Sequence, residues 1–293
     1  MGQIEKFQRM QQPAASANAA GNLTIGGDIT VSRLGFGAMR ITGSGAWGEP
    51  KDRTAAVRVL RRAVELGVNF IDTADSYGPD ISEQLIAEAL HPYPRDLVVA
   101  TKGGLTRPGP NEWVRNATPR HLRQACEASL RRLRVERIDL YQLHAIDHNV
   151  PLEDSLGELA RLQLEGKIRH VGVSNFSVSD LQRGANVVRI VSVQNRYNAS
   201  DRRYDDVIDY CEQNGLAFIP WYPLAAGDHA SANTPKLAEL TKIARDHKVS
   251  AAQAAIAWLL ARSPVMLPIP GTSSIDHLEE NVAAASLRLK AVN

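Results

Sequence analysis

Cysteine is scarce, with Cys126 and Cys211 the only two in 293 residues. No CxxC and no cluster of cysteine with histidine occurs, so neither a disulfide framework nor a metal site is expected. That usage fits a reducing, cytoplasmic setting. Excess charge is lacking too. A net +2 offers no basic footprint for nucleic acid, and a local run such as Arg131-Arg132-Leu133-Arg134 reads as a solvated helix face. No apolar run approaches the ~18 residues of a membrane span, so no membrane partner is expected. Residues 1–22 have no apolar core of a signal peptide and, rich in Gln, Ala and Ser, read as a disordered extension. The remainder, 23–293, is expected to be one domain, as a monomer or a weak homo-oligomer.

What is present is a regular alternation. The apolar content of 44% allows a sizeable core. Two alternating runs around Gly26-Gly27 signal a hairpin over Leu23 to Val31. Strand-like Arg33 to Gly37 follows, and then helices and apolar strands take turns. The helices are expected at Asp52–Leu66, Ile81–Leu90, Thr118–Leu133, Leu152–Leu164, Ser179–Val187, Tyr204–Asn214, Pro235–His247, Ser250–Arg262 and Ser274–Ala285. Between them run strands at Asn69–Asp72, Asp96–Lys102, Ile138–His144, Ile168–Asn175, Val191–Asn195, Ala217–Trp221 and Val265–Ile269. Eight strands separated by helices must be parallel, and eight such units close into a (β/α)₈ barrel with the opening hairpin across its bottom. An open doubly wound sheet would place GxGxxG after its first strand; Gly35-Phe36-Gly37 does not continue that way.

Barrel active sites sit at the C-terminal strand ends. Asp72 and nearby Tyr77 follow the second strand, Lys102 the third and His144 the fourth. Ser174 and Asn175 end the fifth, Gln194 lies at the end of the sixth, Trp221 and Tyr222 follow the seventh, and Pro270-Gly271-Thr272 follow the eighth. Singly, Asp72 could cap a turn and Tyr77 could be a packing residue. Lys102, at the end of an apolar run, is costly to bury unless paired. Together they form coherent chemistry. A lysine ammonium lowers the pKa of a tyrosine beside it, and a carboxylate keeps that lysine charged. Tyr77 then acts as a general acid toward a carbonyl oxygen, with His144 donating to the same oxygen. No nucleophile with an adjacent base is visible, so the expected reaction delivers hydride to carbon. Side chains cannot carry hydride, and a nicotinamide cofactor is implied. Two alternatives stay open: a Schiff-base aldolase using Lys102, and a cofactor-binding redox sensor or accessory subunit.

The set Asp72, Tyr77, Lys102 and His144 resembles the catalytic tetrad of the aldo-keto reductases. The strings Asp-Thr-Ala-Asp-Ser-Tyr-Gly, Ala-Thr-Lys-Gly, Asp-Leu-Tyr-Gln-Leu-His and Val-Gly-Val-Ser-Asn-Phe resemble that family's signatures in order. The resemblance implies a barrel that binds extended NADPH, with NADH as the alternative, and a small carbonyl substrate. It implies that Ser174, Asn175 and Gln194 hold the carboxamide and Trp221 stacks on the nicotinamide. Gly37, Asp72, Tyr222, Pro223, Leu224 and Pro270 fall on the same cofactor path. Gly271, Thr272, Ser273, His277, Glu280 and Asn281 fall where the family binds the adenosine end. The helix near Ser274 would add its N-terminal amides. One departure is that His277 stands where arginine is common, and no Lys or Arg occurs in 271–277. Another is that the chain ends soon after the last helix, so the long C-terminal pocket loop is expected to be largely absent. The substrate pocket would then be lined by Trp47 and Trp113 beside Tyr77 and His144. Tyr77-Gly78-Pro79, residues 268–274 and His277 to Asn281 resemble the bacterial subgroup that includes pyridoxal reductases.

Overall fold

The computed structural model describes residues 15–224 and 235–289. A hairpin leads, β1 (Asn22–Ile25) and β2 (Ile29–Ser32), with Leu23 opposite Val31. Gly26 and Gly27 both have positive φ, 67° and 92°, within the three-residue turn Gly26-Gly27-Asp28 that joins Ile25 to its partner Ile29. A Cβ on Gly26 would strike the His170 ring, and His170 Nε2 lies 2.6 Å from Asp28 Oδ1. The turn is thereby held against the barrel.

The alternation follows: β3 (Phe36–Gly37), α1 (Arg53–Glu65), β4 (Phe70–Asp72), α2 (Ile81–Leu90), β5 (Val98–Gly103), a small hairpin β6 (Leu105–Thr106) and β7 (Val114–Arg115), α3 (Pro119–Leu133) and β8 (Ile138–Leu143). Then come α4 (Leu152–Leu164), β9 (Ile168–Ser174), α5 (Val178–Ala185), β10 (Ile190–Arg196), α6 (Asp205–Asn214), β11 (Ala217–Trp221), α7 (Pro235–His247), α8 (Ala251–Arg262) and α9 (Ile275–Ala283). Local chemistry sets the boundaries. Asp52 Oδ1 accepts from Ala55 N at the start of α1, Thr118 caps α3 ahead of Pro119, and Ser250 with Gln253 forms a capping box on α8.

Seven parallel strands pair in the order β3-β4-β5-β8-β9-β10-β11. The eighth strand expected at Val265–Ile269 is an extended seam and not a regular ladder. Phe218 N donates to Val265 O and Leu267 N to Phe218 O, each at 2.9 Å, while Gly35 N donates to Pro268 O at 2.9 Å. Pro268 and Pro270 carry no N–H, so the seam joins β11 to the approach to β3 through a few bonds. The ring closes as a (β/α)₈ barrel. Its interior packs Phe70, Val98, Ala100, Leu140, Ala217, Ile219 and Leu267 against Ile25, Ile29 and Val31 of the hairpin, which plugs the N-terminal end of the strands. The opposite, C-terminal ends stay polar, and the side chains described below stand there.

The N-terminal expectation needs correction. Ala17–Ala20 forms a 3₁₀ turn capped by Ser16, Ala17 is fully buried, and its N–H donates to Leu66 O at 2.8 Å. Small alanines let this turn lie flat on the end of α1, a packing that polar composition does not reveal. Residues 1–14 of the expected extension lie outside the described residues.

Candidate active site

Lys102 is the floor of the site. It ends an apolar strand, is 0% exposed, and would be costly there without partners. Its ammonium donates to Asp72 Oδ1 at 2.6 Å, to Thr73 O at 2.9 Å and to the Tyr77 hydroxyl at 3.4 Å. Burial opposes its charge, but Asp72 and then Tyr77 hold its pKa above the ordinary lysine value. The other carboxylate oxygen, Asp72 Oδ2, accepts from Gln142 Nε2 at 3.0 Å and Gln194 Nε2 at 2.8 Å. Behind this, the fully buried Glu83 accepts from Thr101 Oγ1 at 2.5 Å and pairs with Arg132 at 2.6 Å, which anchors β5 to α2 and α3.

Tyr77 and His144 stand above the lysine, each 8% exposed, with rings edge-to-face and centroids 5.9 Å apart. Here the structure corrects the expected titration of Tyr77. Burial raises its pKa and outweighs the lowering by Lys102, so the phenol keeps its proton at neutral pH. His144 is pushed well below the usual imidazole range by burial and by Lys102, so it is neutral. Its Nδ1 lies 3.3 Å from Ser76 Oγ. The roles in this contact follow the tautomer: with the Ser76 hydroxyl donating, Nδ1 accepts and the imidazole proton sits on Nε2.

A cavity of about 1420 Å³ runs from this group along the C-terminal strand ends. Tyr77, His144, Asp72 and Trp113 line one end; Thr272, Ser273, His277, Glu280 and Asn281 line the other. Between them lie Gly37, Ser174, Asn175 and Gln194, together with Trp221, Tyr222, Pro223, Leu224, Pro270 and Gly271. Trp221 is fixed by its indole N–H donating to Asn175 Oδ1 at 3.1 Å. Asn175, at φ 63°, in turn donates to Ser174 Oγ at 3.0 Å. Ser274 caps α9, and Thr272 Oγ1 accepts from Ser274 N at 3.0 Å. The far end is thus a hydroxyl-lined helix N-terminus.

Trp47 does not join this set. It forms a β-bridge with Gly78 and lies half-buried under the Arg107 guanidinium, 5.5 Å from its ring centroid. Its indole packs against Arg107 and is not among the residues that line the cavity described above. Lys102 is beneath the cavity and does not line it. Sequence reasoning missed Met39, Arg40, Leu105 and Thr241 on the walls. It also missed Gln142, which shares the inward face of β8 with Leu140 and His144; the period of two was the available signal.

Comparison with known proteins agrees with this geometry. The Aldo/keto reductase family matches residues 33–292, and the chain belongs to that family, making it an oxidoreductase. An uncharacterized oxidoreductase of Schizosaccharomyces pombe is 52% identical over 278 residues, 95% of this chain and 89% of the relative. Pyridoxine 4-dehydrogenase of Escherichia coli is 40% identical over 269 residues, 90% of this chain and 92% of the relative. A solved aldo-keto reductase from Klebsiella pneumoniae, in complex with NADPH, superimposes with a TM-score of 0.78 at 26% identity, covering 92% of this chain and 90% of the other. Among the described residues no helix is long and apolar enough to cross a membrane.

Proposed function

We propose that the protein reduces a small aldehyde or ketone with NADPH, Tyr77 protonating the carbonyl oxygen. The observation that carries this reading is the buried chain Asp72–Lys102–Tyr77, which ends at the floor of a cavity too large for one small substrate. Pockets for single small ligands hold ~300–1,000 Å³, and about 1420 Å³ leaves room for a dinucleotide and a carbonyl together. The donor set fits the dinucleotide. Ser174 and Asn175 offer polar atoms beside the half-buried indole of Trp221, which lines the cavity, and the cap of α9 offers hydroxyls at the far end. NADPH in this site would supply hydride.

The chain's own groups do the rest. Lys102, charged and pinned by Asp72, points at the Tyr77 oxygen and stabilises the phenolate that remains after the proton leaves. Neutral His144, with Ser76 at Nδ1, directs its Nε2–H at the substrate oxygen and so orients the carbonyl for attack. Burial removes water from these groups and strengthens each interaction. The Schiff-base alternative fits poorly, because an imine-forming lysine must be neutral and reachable. Lys102 is charged by its partners and fully covered.

A pyridoxal-type aldehyde is the substrate we favour, on the likeness to pyridoxine 4-dehydrogenase of Escherichia coli. The test is turnover of NADPH and NADH across a panel of aldehydes and ketones that includes pyridoxal. Pyridoxal reduced no faster than generic aromatic aldehydes removes that substrate while leaving the reaction class standing.

A further inference from the structure

Arg107 lies in the loop between β6 and β7, outside the tetrad and the cofactor path, yet it is only 8% exposed. Both Nη atoms of its guanidinium are engaged by backbone carbonyls, while the buried Nε has no partner among the described residues. Nη1 donates to Ala46 O at 3.0 Å and to Ser76 O at 3.3 Å, and Nη2 donates to Gly45 O at 3.0 Å. The same group lies flat on Trp113, 3.7 Å from the ring centroid, with Trp47 beyond it at 5.5 Å. Trp113 in turn stands edge-on to Tyr77 and to His144, at 6.3 Å from each, and lines the cavity.

One cation therefore ties together three loops, those after β3, β4 and β5. Trp113 is 40% exposed, with the Arg107 guanidinium against its ring. The Ser76 carbonyl that Arg107 holds belongs to the residue whose hydroxyl meets His144 Nδ1. Buried guanidinium groups are used where a planar fork must satisfy several oxygens at fixed angles while stacking on an aromatic face, which a lysine cannot reproduce.

We propose that Arg107 is a positioning residue for substrate selection: it clamps the three loops and fixes Trp113 as the rigid wall against which an aromatic or apolar carbonyl compound docks beside Tyr77. This rests on the carbonyl-reductase reading above. Arg107 touches neither the reacting atoms nor the cofactor path. Its loss should change which aldehyde is preferred and leave cofactor binding alone.

The test compares the wild-type chain with Arg107→Gln, Arg107→Lys, Trp113→Ala and the double variant Arg107→Gln/Trp113→Ala. The ratio of kcat/KM for 4-nitrobenzaldehyde to that for propanal is measured, with NADPH Kd from fluorescence titration. The wild type is expected to prefer the aromatic aldehyde. Arg107→Gln should lower that preference at least tenfold, mostly through KM, with NADPH Kd within twofold. Arg107→Lys should recover only part of it, and the double variant should discriminate no worse than Trp113→Ala alone. An unchanged ratio, additive losses, or a parallel fall in NADPH affinity overturns the proposal. Acrylamide quenching of Trp113, taken as the difference between each chain and its Trp113→Phe form, reads the clamp without turnover. Quenching should rise in both Arg107 variants, and unchanged quenching overturns the proposal even if no carbonyl is reduced. Absence of turnover in the wild type with quenching raised would sink the reductase reading, and with it the substrate-selection role.

Discussion

Lys102 and Asp72 meet across 2.6 Å with side chains 0% and 2% exposed, and the lysine ammonium also reaches the Tyr77 hydroxyl at 3.4 Å. The pair is expensive to desolvate. It is held by Thr73 O on the lysine and by two glutamine amides on the carboxylate. Removing one partner leaves the other charge stranded. Lys102→Met is expected to cost roughly 3–5 kcal/mol of stability, and Lys102→Met/Asp72→Leu should recover most of it without recovering activity. Urea unfolding of the two variants checks this; equal losses would mean that the pair is not coupled.

His144 gives a pH signature. Burial and then Lys102 keep its folded pKa well below the ordinary 6.5. As pH falls below about 6.5, the unfolded chain takes up a proton that the folded chain refuses, so the folded state loses stability in that direction. One such group contributes a slope of at most about 1.4 kcal/mol per pH unit. His144→Gln should therefore flatten the fall in Tm between pH 7 and 5. The same neutrality predicts no inflection near 6.5 in kcat/KM that disappears in His144→Gln; finding one would show that the imidazole titrates in the working range.

The cofactor end carries its own prediction. His277 lines the cavity beside Ser273 and Thr272, and among the described lining residues Arg40 is the one arginine or lysine. With no cation fixed on the α9 cap, selectivity for a 2′-phosphate falls to hydroxyls, helix amides and His277. His277→Ala should weaken NADPH much more than NADH in fluorescence titrations. Equal losses for both would remove His277 from that role.

Asp72, Lys102 and His144 were legible in the sequence because each closes an apolar strand run, and barrel geometry brings neighbouring strand ends together. Tyr77 was legible by its nearness to Asp72. The eighth strand was legible as an apolar stretch but not as a seam, since its prolines deny it the ladder that its apolarity suggests. Arg107 was not legible at all. Its partners are the carbonyls of Gly45, Ala46 and Ser76, which no side-chain pattern announces. For the same reason nothing in the sequence separates Trp47 from Trp113, since the guanidinium that packs on both is held by those carbonyls. The sign of the Tyr77 shift is also not legible in the sequence, because burial by the folded loops outweighs the lowering by neighbouring Lys102.

The most direct test is Tyr77→Phe, assayed for NADPH oxidation with the best aldehyde of the panel and, in parallel, for NADPH binding. Loss of a positioned general acid lowers turnover by roughly 10²–10⁴-fold, and that fall is expected with NADPH Kd unchanged within about twofold. Turnover that survives in Tyr77→Phe within a factor of a few would contradict the assignment of Tyr77 as the proton donor, and with it the account of why Lys102 and Asp72 are buried beneath it.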